Sequence, residues 1–173
     1  MSDTVAAPVE RTRTIEWDDP LAGAERGMRM SGLEYMRALI AGEIPAPPIA
    51  HSLGFTLAEV GEGRAVFAME PAEYHYNPIG VVHGGVAATL LDSAMGCALH
   101  TTLPAGVGYT TLELKINYLR PMTRDTGPVR AEATIINAGR TTALVEARLV
   151  DSAGKLLAHA TSTCMILRPE ARG

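Results

Sequence analysis

The 173-residue sequence has only two cysteines, few aromatic residues and no cluster of positive charge. Cys97 and Cys164 belong to no CxxC motif and no Cys/His cluster, so the sequence offers no zinc site. Both lie inside predicted core elements, and we expect them to be reduced, as in a cytosolic protein. Lysine and arginine residues are scattered along a chain of net charge −4, which gives no support to nucleic-acid binding.

The sequence also lacks the apolar stretches that direct a chain to or across a membrane. The N-terminus has no uninterrupted apolar segment, so we expect no signal peptide, no membrane insertion and a cytoplasmic location. No G-x-S-x-G motif occurs, and no serine is placed like an activated nucleophile. The length suits one domain, in which the 47% of hydrophobic residues can fill a sizeable core.

The stretch from residue 77 to residue 100 is the most informative part of the chain. An Asn-Pro pair at 77–78 and Gly80 are typical of a turn, and a His-Gly-Gly sequence at 83–85 follows. From Val86 onward nearly every position is apolar, and a helix that is apolar on all sides is predicted to be buried. This helix is too short, and too interrupted by polar residues, to span a bilayer.

One carboxylate, Asp92, lies in the middle of this apolar helix. Burying an unpaired charge is costly, so Asp92 is either a satisfied structural group, bonded to Thr89 or to a partner chain, or a functional one. Gly84 and Gly85 favour function because they let the backbone approach a ligand closely, which makes Gly85 a candidate for substrate binding. Free N–H groups and the dipole at a helix start favour negative charge, as an oxyanion hole requires.

The spacing of these residues resembles that of the hotdog-fold acyl-CoA thioesterases of the phenylacetate-pathway, PaaI-like type. An asparagine stands six residues before the histidine, the glycine pair follows it, and the aspartate comes nine residues after it. The resemblance covers roughly residues 48–167, with no departure at these positions. It implies that Asn77 and Gly84 polarise the thioester carbonyl. It also implies that Asp92 is the catalytic carboxylate and that Thr111 helps to hold the water or the carboxylate.

His83 and two basic turns are further candidates. His83 is a natural proton carrier near neutral pH and could act as a base, whereas the equivalent histidine of the resembled family mainly shapes the loop. An arginine beside hydroxyls and turn N–H groups can bind phosphate. Arg120 and the turn Arg140-Thr141-Thr142 are therefore candidate phosphate-binding sites. The resemblance implies that a turn like the second binds the nucleotide end of coenzyme A. The alternative for each is an ordinary solvated turn.

The rest of the chain predicts helices followed by a run of strands, an α+β class. Helices are expected at 21–28, from a capping-box pattern at 31–34 through residue 40, and at 49–53. Strands are expected at 55–60, 64–70, 110–118, 129–137, 141–151 and 156–167. An antiparallel sheet of these strands would wrap the long helix, which agrees independently with a hotdog fold. The other histidines are expected in loops or at the surface: His51, His75, His100 and His159.

We divide the chain into a partly helical N-terminal extension at 1–47, a hotdog thioesterase domain at 48–168 and a tail at 169–173. Residues 1–17 are polar and irregular. The helical arm that follows them is expected to cover part of the body or a neighbouring chain. A lid over the ligand is the alternative.

These residues predict a thioesterase in which water or the Asp92 carboxylate attacks the thioester carbonyl. The sequence leaves open whether Asp92 is a general base or a nucleophile that forms an anhydride. One alternative is a hotdog hydroxyacyl-thioester dehydratase, although such enzymes usually pair His with Glu or Asp at another spacing. Another is a non-catalytic acyl-CoA-binding protein, which would be expected to lack the carboxylate. We expect no metal, because the sequence has no cluster of metal ligands, and no cofactor, because coenzyme A is part of the substrate. The sequence does not identify the acyl group.

Two chains are expected to build each active site. Gly84 and Asp92 are eight residues apart, so on one helix they lie about 12 Å apart along the axis. Both must reach one thioester within about 3 Å. A two-fold partner with an antiparallel helix can bring its Asp92 beside the first chain's Gly84. The resemblance implies the same homodimer, usually paired into tetramers, with acyl-CoA as ligand. The charge and the lack of apolar segments lead us to expect neither nucleic acid nor membrane as a partner.

Overall fold

The computed structural model describes residues 10–169, which form four α-helices and six strands. The helices are α1 Pro20–Gly27, α2 Gly32–Ile40, α3 Pro48–Leu53 and α4 Gly84–His100; the strands are β1 Phe55–Gly61, β2 Arg64–Met69, β3 Gly108–Tyr118, β4 Val129–Ala138, β5 Thr142–Asp151 and β6 Leu156–Leu167. The strands make one antiparallel sheet in the order β1-β2-β4-β5-β6-β3. With α4 packed against it, this is the α+β hotdog fold that the sequence predicts.

Every helix and strand predicted from the sequence is present, with its ends shifted by about two residues at most. Residues 1–9 of the extension and 170–173 of the tail lie outside the described residues, and the domain boundaries stay a prediction. No helix within residues 10–169 combines the length and the apolarity needed to cross a bilayer.

Helix α4 packs closely on the sheet because small side chains face it. Several side chains of α4 are completely buried: Leu90, Leu91, Ala94, Met95, Ala98 and Leu99. The strands present alanines with no exposed surface: Ala65, Ala131, Ala133, Ala147 and Ala160. Alanine at these positions lets the helix backbone approach the sheet. Burying each leucine contributes about 1.5–3 kcal/mol relative to leaving it exposed.

One stripe of α4 is less buried than the sequence predicts. Ala88, Thr89, Asp92 and Ser93 remain partly exposed, and spacings of three and four residues place them on one side of the helix. The prediction of a helix buried on all sides is therefore wrong along this stripe. The stripe includes the only carboxylate of the helix.

Strand β3 is a long edge of the sheet. Within residues 10–169 its eleven residues pair only with β6, so the other side of its backbone is left open. Leu112 and Tyr118 on this strand are 54% and 56% exposed. A long edge strand without protection readily pairs with a strand of another chain. The fold therefore offers β3 as a place where a second copy can extend the sheet.

Helix α2 fastens the N-terminal arm to the rest of the chain. Ser31 and Glu34 form the predicted capping box at its start. Gly32 N donates to the Leu103 carbonyl oxygen at 2.9 Å. Glycine is required there, because a Cβ would lie 1.7 Å from the carbonyl oxygen of His100 at the end of α4. The arm thus covers part of its own body, against β1 and α4.

We expect Gly32→Ala to push α2 away from the end of α4 and to lower the free energy of unfolding. An extra methyl group in a packed contact costs about 1–3 kcal/mol, and the obstacle here is a backbone carbonyl. Gly61→Ala is the matched control, since a Cβ at Gly61 has no heavy atom within 4 Å. Urea unfolding of both variants measures the difference. Equal midpoints would contradict the tight contact.

Candidate active site

The side-chain oxygen of Asn77 holds a tight loop before α4. Its Oδ1 accepts hydrogen bonds from Ile79 N at 3.1 Å and from Val81 N at 3.3 Å. Gly80, with a φ of 80°, supplies the left-handed conformation that the turn needs. Because the side-chain oxygen is engaged in the loop, the NH₂ group is the part of Asn77 that remains to meet a ligand.

The His83 ring caps the start of α4. Its Nδ1 accepts a hydrogen bond from Gly85 N at 2.9 Å, and His83 N donates to the His75 carbonyl oxygen at 2.8 Å. Gly85 has to be small, since a Cβ there would lie 2.9 Å from the same Nδ1. These contacts fit the loop-shaping role that the resemblance implies. While it caps the helix, Nδ1 is not free to accept a proton from a substrate.

His75 is a buried support of this loop, so the expectation that it lies in a loop or at the surface is wrong. It is 3% exposed. Its Nδ1 accepts from Ala72 N at 3.0 Å, and its Nε2 lies 2.8 Å from the Leu53 carbonyl oxygen, to which it donates. Burial lowers the pKa of His75, which favours the neutral ring that both bonds need. No sequence signal marks this histidine, because its partners are backbone groups that only the fold brings together.

Gly84 is held by Tyr118, a residue that the sequence analysis did not single out. As the first residue of α4, Gly84 has no carbonyl within the helix to accept its N–H. The Tyr118 hydroxyl donates to the Gly84 carbonyl oxygen at 3.1 Å, and a Cβ at Gly84 would press on the Tyr118 ring at 3.2 Å. A cleft of about 290 Å³ opens beside them, with Arg120 in its wall. Gly84, at the start of the helix, therefore lines a space that a ligand can enter.

The two basic turns lie at opposite ends of β3. Arg120 follows the strand, and its Nη1 donates to the Leu156 carbonyl oxygen at 2.5 Å. The turn that contains Arg140 and Thr141 joins β4 and β5. Its last residue, Thr142, pairs with Met165 of β6. On its other side Met165 pairs with Thr110, near the start of β3. Within one chain, therefore, the two turns do not meet at one ligand.

Asp92 finds its partner on β3. Thr111 Oγ1 donates to Asp92 Oδ1 at 2.9 Å. Thr89 does not take this place, because its hydroxyl donates to the Gly85 carbonyl oxygen at 2.9 Å. The alternative of an Asp92–Thr89 bond is therefore wrong. Asp92 and Thr111 are both partly exposed, so the carboxylate keeps a side that water or a substrate can reach.

The predicted residues form two groups along α4. The Asn77 loop, His83 and the glycine pair lie at the helix start, whereas Asp92 and Thr111 lie about two turns later. Eight residues on one helix separate Gly84 from Asp92, which is about 12 Å along the axis. Among residues 10–169, no three His, Cys, Asp or Glu side chains gather closely enough to hold a metal ion. The catalytic roles of both groups stay predictions.

Residues 79–158 match the family described as the thioesterase superfamily. The match includes Gly84, Asp92 and Thr111, whereas Asn77 precedes it. A predicted esterase of Saccharolobus solfataricus is 35% identical over 123 residues, which are 71% of this chain and 86% of the relative. Acyl-coenzyme A thioesterase 13 of Homo sapiens is 31% identical over 130 residues, which are 74% of this chain and 91% of that protein.

The fold has close counterparts among solved structures. A mutant of the phenylacetic acid degradation protein PaaI from Thermus thermophilus superposes with a TM-score of 0.63 at 32% sequence identity. The superposition covers 71% of this chain and 100% of that one.

We expect His83→Ala to lower the free energy of unfolding, because it removes the cap of α4. Loss of an N-terminal cap costs about 0.5–2 kcal/mol. His83→Asn is the matched control, since an asparagine oxygen can accept the same Gly85 N–H. Urea unfolding should place the midpoint of His83→Asn near that of the wild type and the midpoint of His83→Ala below both. Identical midpoints for all three proteins would show that the cap contributes nothing.

Proposed function

Since the chain belongs to the thioesterase superfamily of thioester hydrolases, we propose that it hydrolyses an acyl-CoA or aryl-CoA ester to the free acid and coenzyme A. The Thr111–Asp92 hydrogen bond is the observation that supports this most directly. It orients a partly exposed carboxylate on a largely apolar helix. A general base or a nucleophile needs such a position, fixed in direction and open to the substrate.

In the proposed reaction, Asp92 takes a proton from water while the water oxygen bonds to the thioester carbonyl carbon. The carbonyl oxygen becomes an oxyanion and accepts hydrogen bonds from Gly84 N–H and from the Asn77 NH₂ group. The C–S bond then breaks, and the thiolate of coenzyme A takes the proton from the Asp92 carboxyl group. If Asp92 attacks directly instead, water hydrolyses the anhydride and the products are the same.

These residues can supply the acceleration without a metal ion or a further cofactor, and we propose that none is used. One oxyanion donor contributes about a hundredfold to a thousandfold in rate. A placed base contributes about a hundredfold to ten-thousandfold. Coenzyme A enters as part of the substrate.

A site of this kind needs two copies of the chain, and the free edge of β3 supports one way for them to meet. Near its start β3 carries Thr111, which bonds Asp92, and at its end it carries Tyr118, which bonds Gly84. Two copies of β3 can pair antiparallel along their open edges. A two-fold axis near the middle of the strand exchanges its ends, so that one copy's Asp92 comes beside the other's Gly84.

The same pairing would bring the two basic turns to one ligand. Arg120 lies at the Gly84 end of β3, and the turn with Arg140, Thr141 and Thr142 lies at the other end. Across the two-fold axis, Arg120 of one copy and the Arg140 turn of the other fall at the same composite site. We assign to them the phosphates of coenzyme A, which guanidinium and hydroxyl groups bind well. Gly85, which has no side chain, lets the backbone of the helix start come close to the same ester.

A dimer of such dimers is the larger assembly that we propose. Leu144, Met165 and Leu167 are 39%, 37% and 45% exposed on β5 and β6. Their sequence neighbours Ala143 and Ile166 are buried, so the three exposed side chains share the face of the sheet that points away from α4. An apolar strip of this kind favours a second interface. A cytoplasmic location, without nucleic-acid or membrane partners, stays a prediction.

We expect Asp92→Asn to keep the fold and the affinity for ligand but to lose at least about a hundredfold in turnover. The two side chains have nearly the same shape, and only the carboxylate can take a proton or attack. Thiol release from a panel of acyl-CoA esters, measured in the presence of a chelator, checks this. Ser93→Ala, one residue further along the same exposed stripe, is the matched control and should keep its turnover.

Other outcomes of this assay would each contradict one part of the proposed reaction. Near-normal turnover by Asp92→Asn would remove Asp92 from the mechanism. Activity that a chelator abolishes and zinc restores would contradict the metal-free reaction. New alkene absorbance without thiol release would identify a dehydratase. Ligand binding by the wild type without any product would identify an acyl-CoA-binding protein.

We expect two inactive variants to restore activity when their chains mix. Asn77→Asp keeps the acceptor oxygen that holds the loop but replaces the NH₂ donor, and Asp92→Asn removes the carboxylate. A mixed dimer then contains one intact site, with Asn77 from one chain and Asp92 from the other. The assay is thiol release after subunit exchange, with each variant alone as the control. Mixed dimers that form, as shown by mass spectrometry, and stay inactive would place the site within one chain.

A further inference from the structure

A second cavity lies between α4 and the N-terminal arm. Its volume is about 370 Å³. Its lining includes Met36 and Leu39 of α2, Phe55 of β1 and Phe67 of β2. The residues of the proposed reaction and the two basic turns are not part of its wall. The cavity is therefore separate from the cleft beside Gly84.

The cavity begins one helical turn beyond Asp92. On α4, Gly96 follows Asp92 by four residues and lies on the same side of the helix. On β3, Tyr109 precedes Thr111 by two residues and points to the same face of the sheet. Tyr109 lies over Gly96, where a Cβ would be 2.6 Å from the phenol oxygen, and it lines the cavity. The Asp92–Thr111 and Gly96–Tyr109 pairs are thus successive contacts between α4 and β3.

The wall of the cavity carries no charge at neutral pH. Burial raises the pKa of the Cys97 thiol to about 12 and raises the pKa values of Tyr35 and Tyr109. Burial also lowers the pKa of His100, which favours its neutral ring. Among the described residues that line the cavity there is no Asp, Glu, Lys or Arg. A charged group placed there would lose its hydration and gain no partner.

The size and the composition of the cavity suit a bulky apolar group. A cavity of about 150 Å³ holds benzene, so a volume of about 370 Å³ can hold a substituted ring or a chain on the order of ten carbons. Both phenylalanines of the chain and two of its five tyrosines line this one space. In a sequence with few aromatic residues, this concentration gives the cavity an extended apolar lining.

On the premise of the thioester hydrolysis described above, we propose that this cavity receives the uncharged apolar tail of the acyl group and that α2 sets the longest tail accepted. Leu39 is a specificity-determining residue, since it is one of the α2 residues that line the cavity from the arm. The Gly32 contact holds α2 at a fixed distance from α4. The family match begins at residue 79 and therefore does not include α2, which lines the cavity from the arm. The limit on tail length is therefore a property of the arm.

Three variants on α2 test the proposal. Leu39→Trp fills the cavity, Leu39→Ala enlarges it, and Arg37→Ala changes an exposed residue of the same helix that does not line it. The measured quantity is kcat/KM for acetyl-, decanoyl-, tetradecanoyl- and glutaryl-CoA, the last with a charged tail. Urea unfolding of each variant controls for loss of the fold.

We expect the wild type to prefer decanoyl-CoA to glutaryl-CoA by at least about tenfold. Leu39→Trp should lower kcat/KM for decanoyl-CoA by at least about tenfold while changing the acetyl-CoA value by less than about twofold. Leu39→Ala should raise the ratio of the tetradecanoyl to the decanoyl value, and this ratio decides the matter if Leu39→Trp does not fold. Arg37→Ala should match the wild type.

The proposal about the cavity can fail separately from the proposed function. Hydrolysis with the same chain-length profile in the wild type and in both Leu39 variants would overturn the role of the cavity and leave the thioesterase intact. If the wild type releases no thiol from any ester, the proposed function fails. The role of the cavity is then tested by calorimetry with decyl-CoA, a thioether that cannot be hydrolysed. Leu39→Trp should raise the Kd of decyl-CoA at least about tenfold. An unchanged Kd would overturn the proposal.

Discussion

The spacing of Gly84 and Asp92 on one rigid helix is the constraint on which the rest of the site depends. Helix α4 cannot bend to bring them together, because its leucines are buried against a wall of alanines across the sheet. In the roles that we propose for them, Gly84 as oxyanion donor and Asp92 as carboxylate cannot both reach one substrate carbonyl from the same chain. In the proposed dimer, pairing along the open edge of β3 resolves this, since each end of β3 is hydrogen-bonded to one of the two groups.

Much of the fold was predictable because local patterns and long-range packing agree. The period-two strands and the apolar helix of the sequence are the strands and the helix of the structure. Asp92 was identifiable as the one carboxylate in an apolar segment, and its partner Thr111 follows from the family resemblance. The partial exposure of the stripe around Asp92 was missed, although Thr89, Asp92 and Ser93 are polar and share one side of α4; only Ala88 gives no such signal.

Other parts of the site depend on contacts that spacing does not encode. Tyr118 meets Gly84 only because α4 begins level with the end of β3. His75 bonds a backbone N–H and a backbone carbonyl, so its role leaves no mark in the sequence. The separation of Arg120 from Arg140 likewise follows from the strand order. The arm adds a constraint of its own, because the contact of Gly32 with α4 ties the position of α2 to the cavity one turn beyond Asp92.

A crystal structure with an acyl-CoA analogue tests the shared site most directly. In the analogue a methylene group replaces the thioester sulfur, so the resulting ketone keeps the carbonyl but cannot be hydrolysed. We expect the ketone oxygen to lie about 3 Å from Gly84 N of one subunit, with the Asp92 carboxylate of the other subunit facing the ketone carbon. A ketone held by Gly84 and Asp92 of the same subunit, or bound away from both, would contradict a site built from two chains.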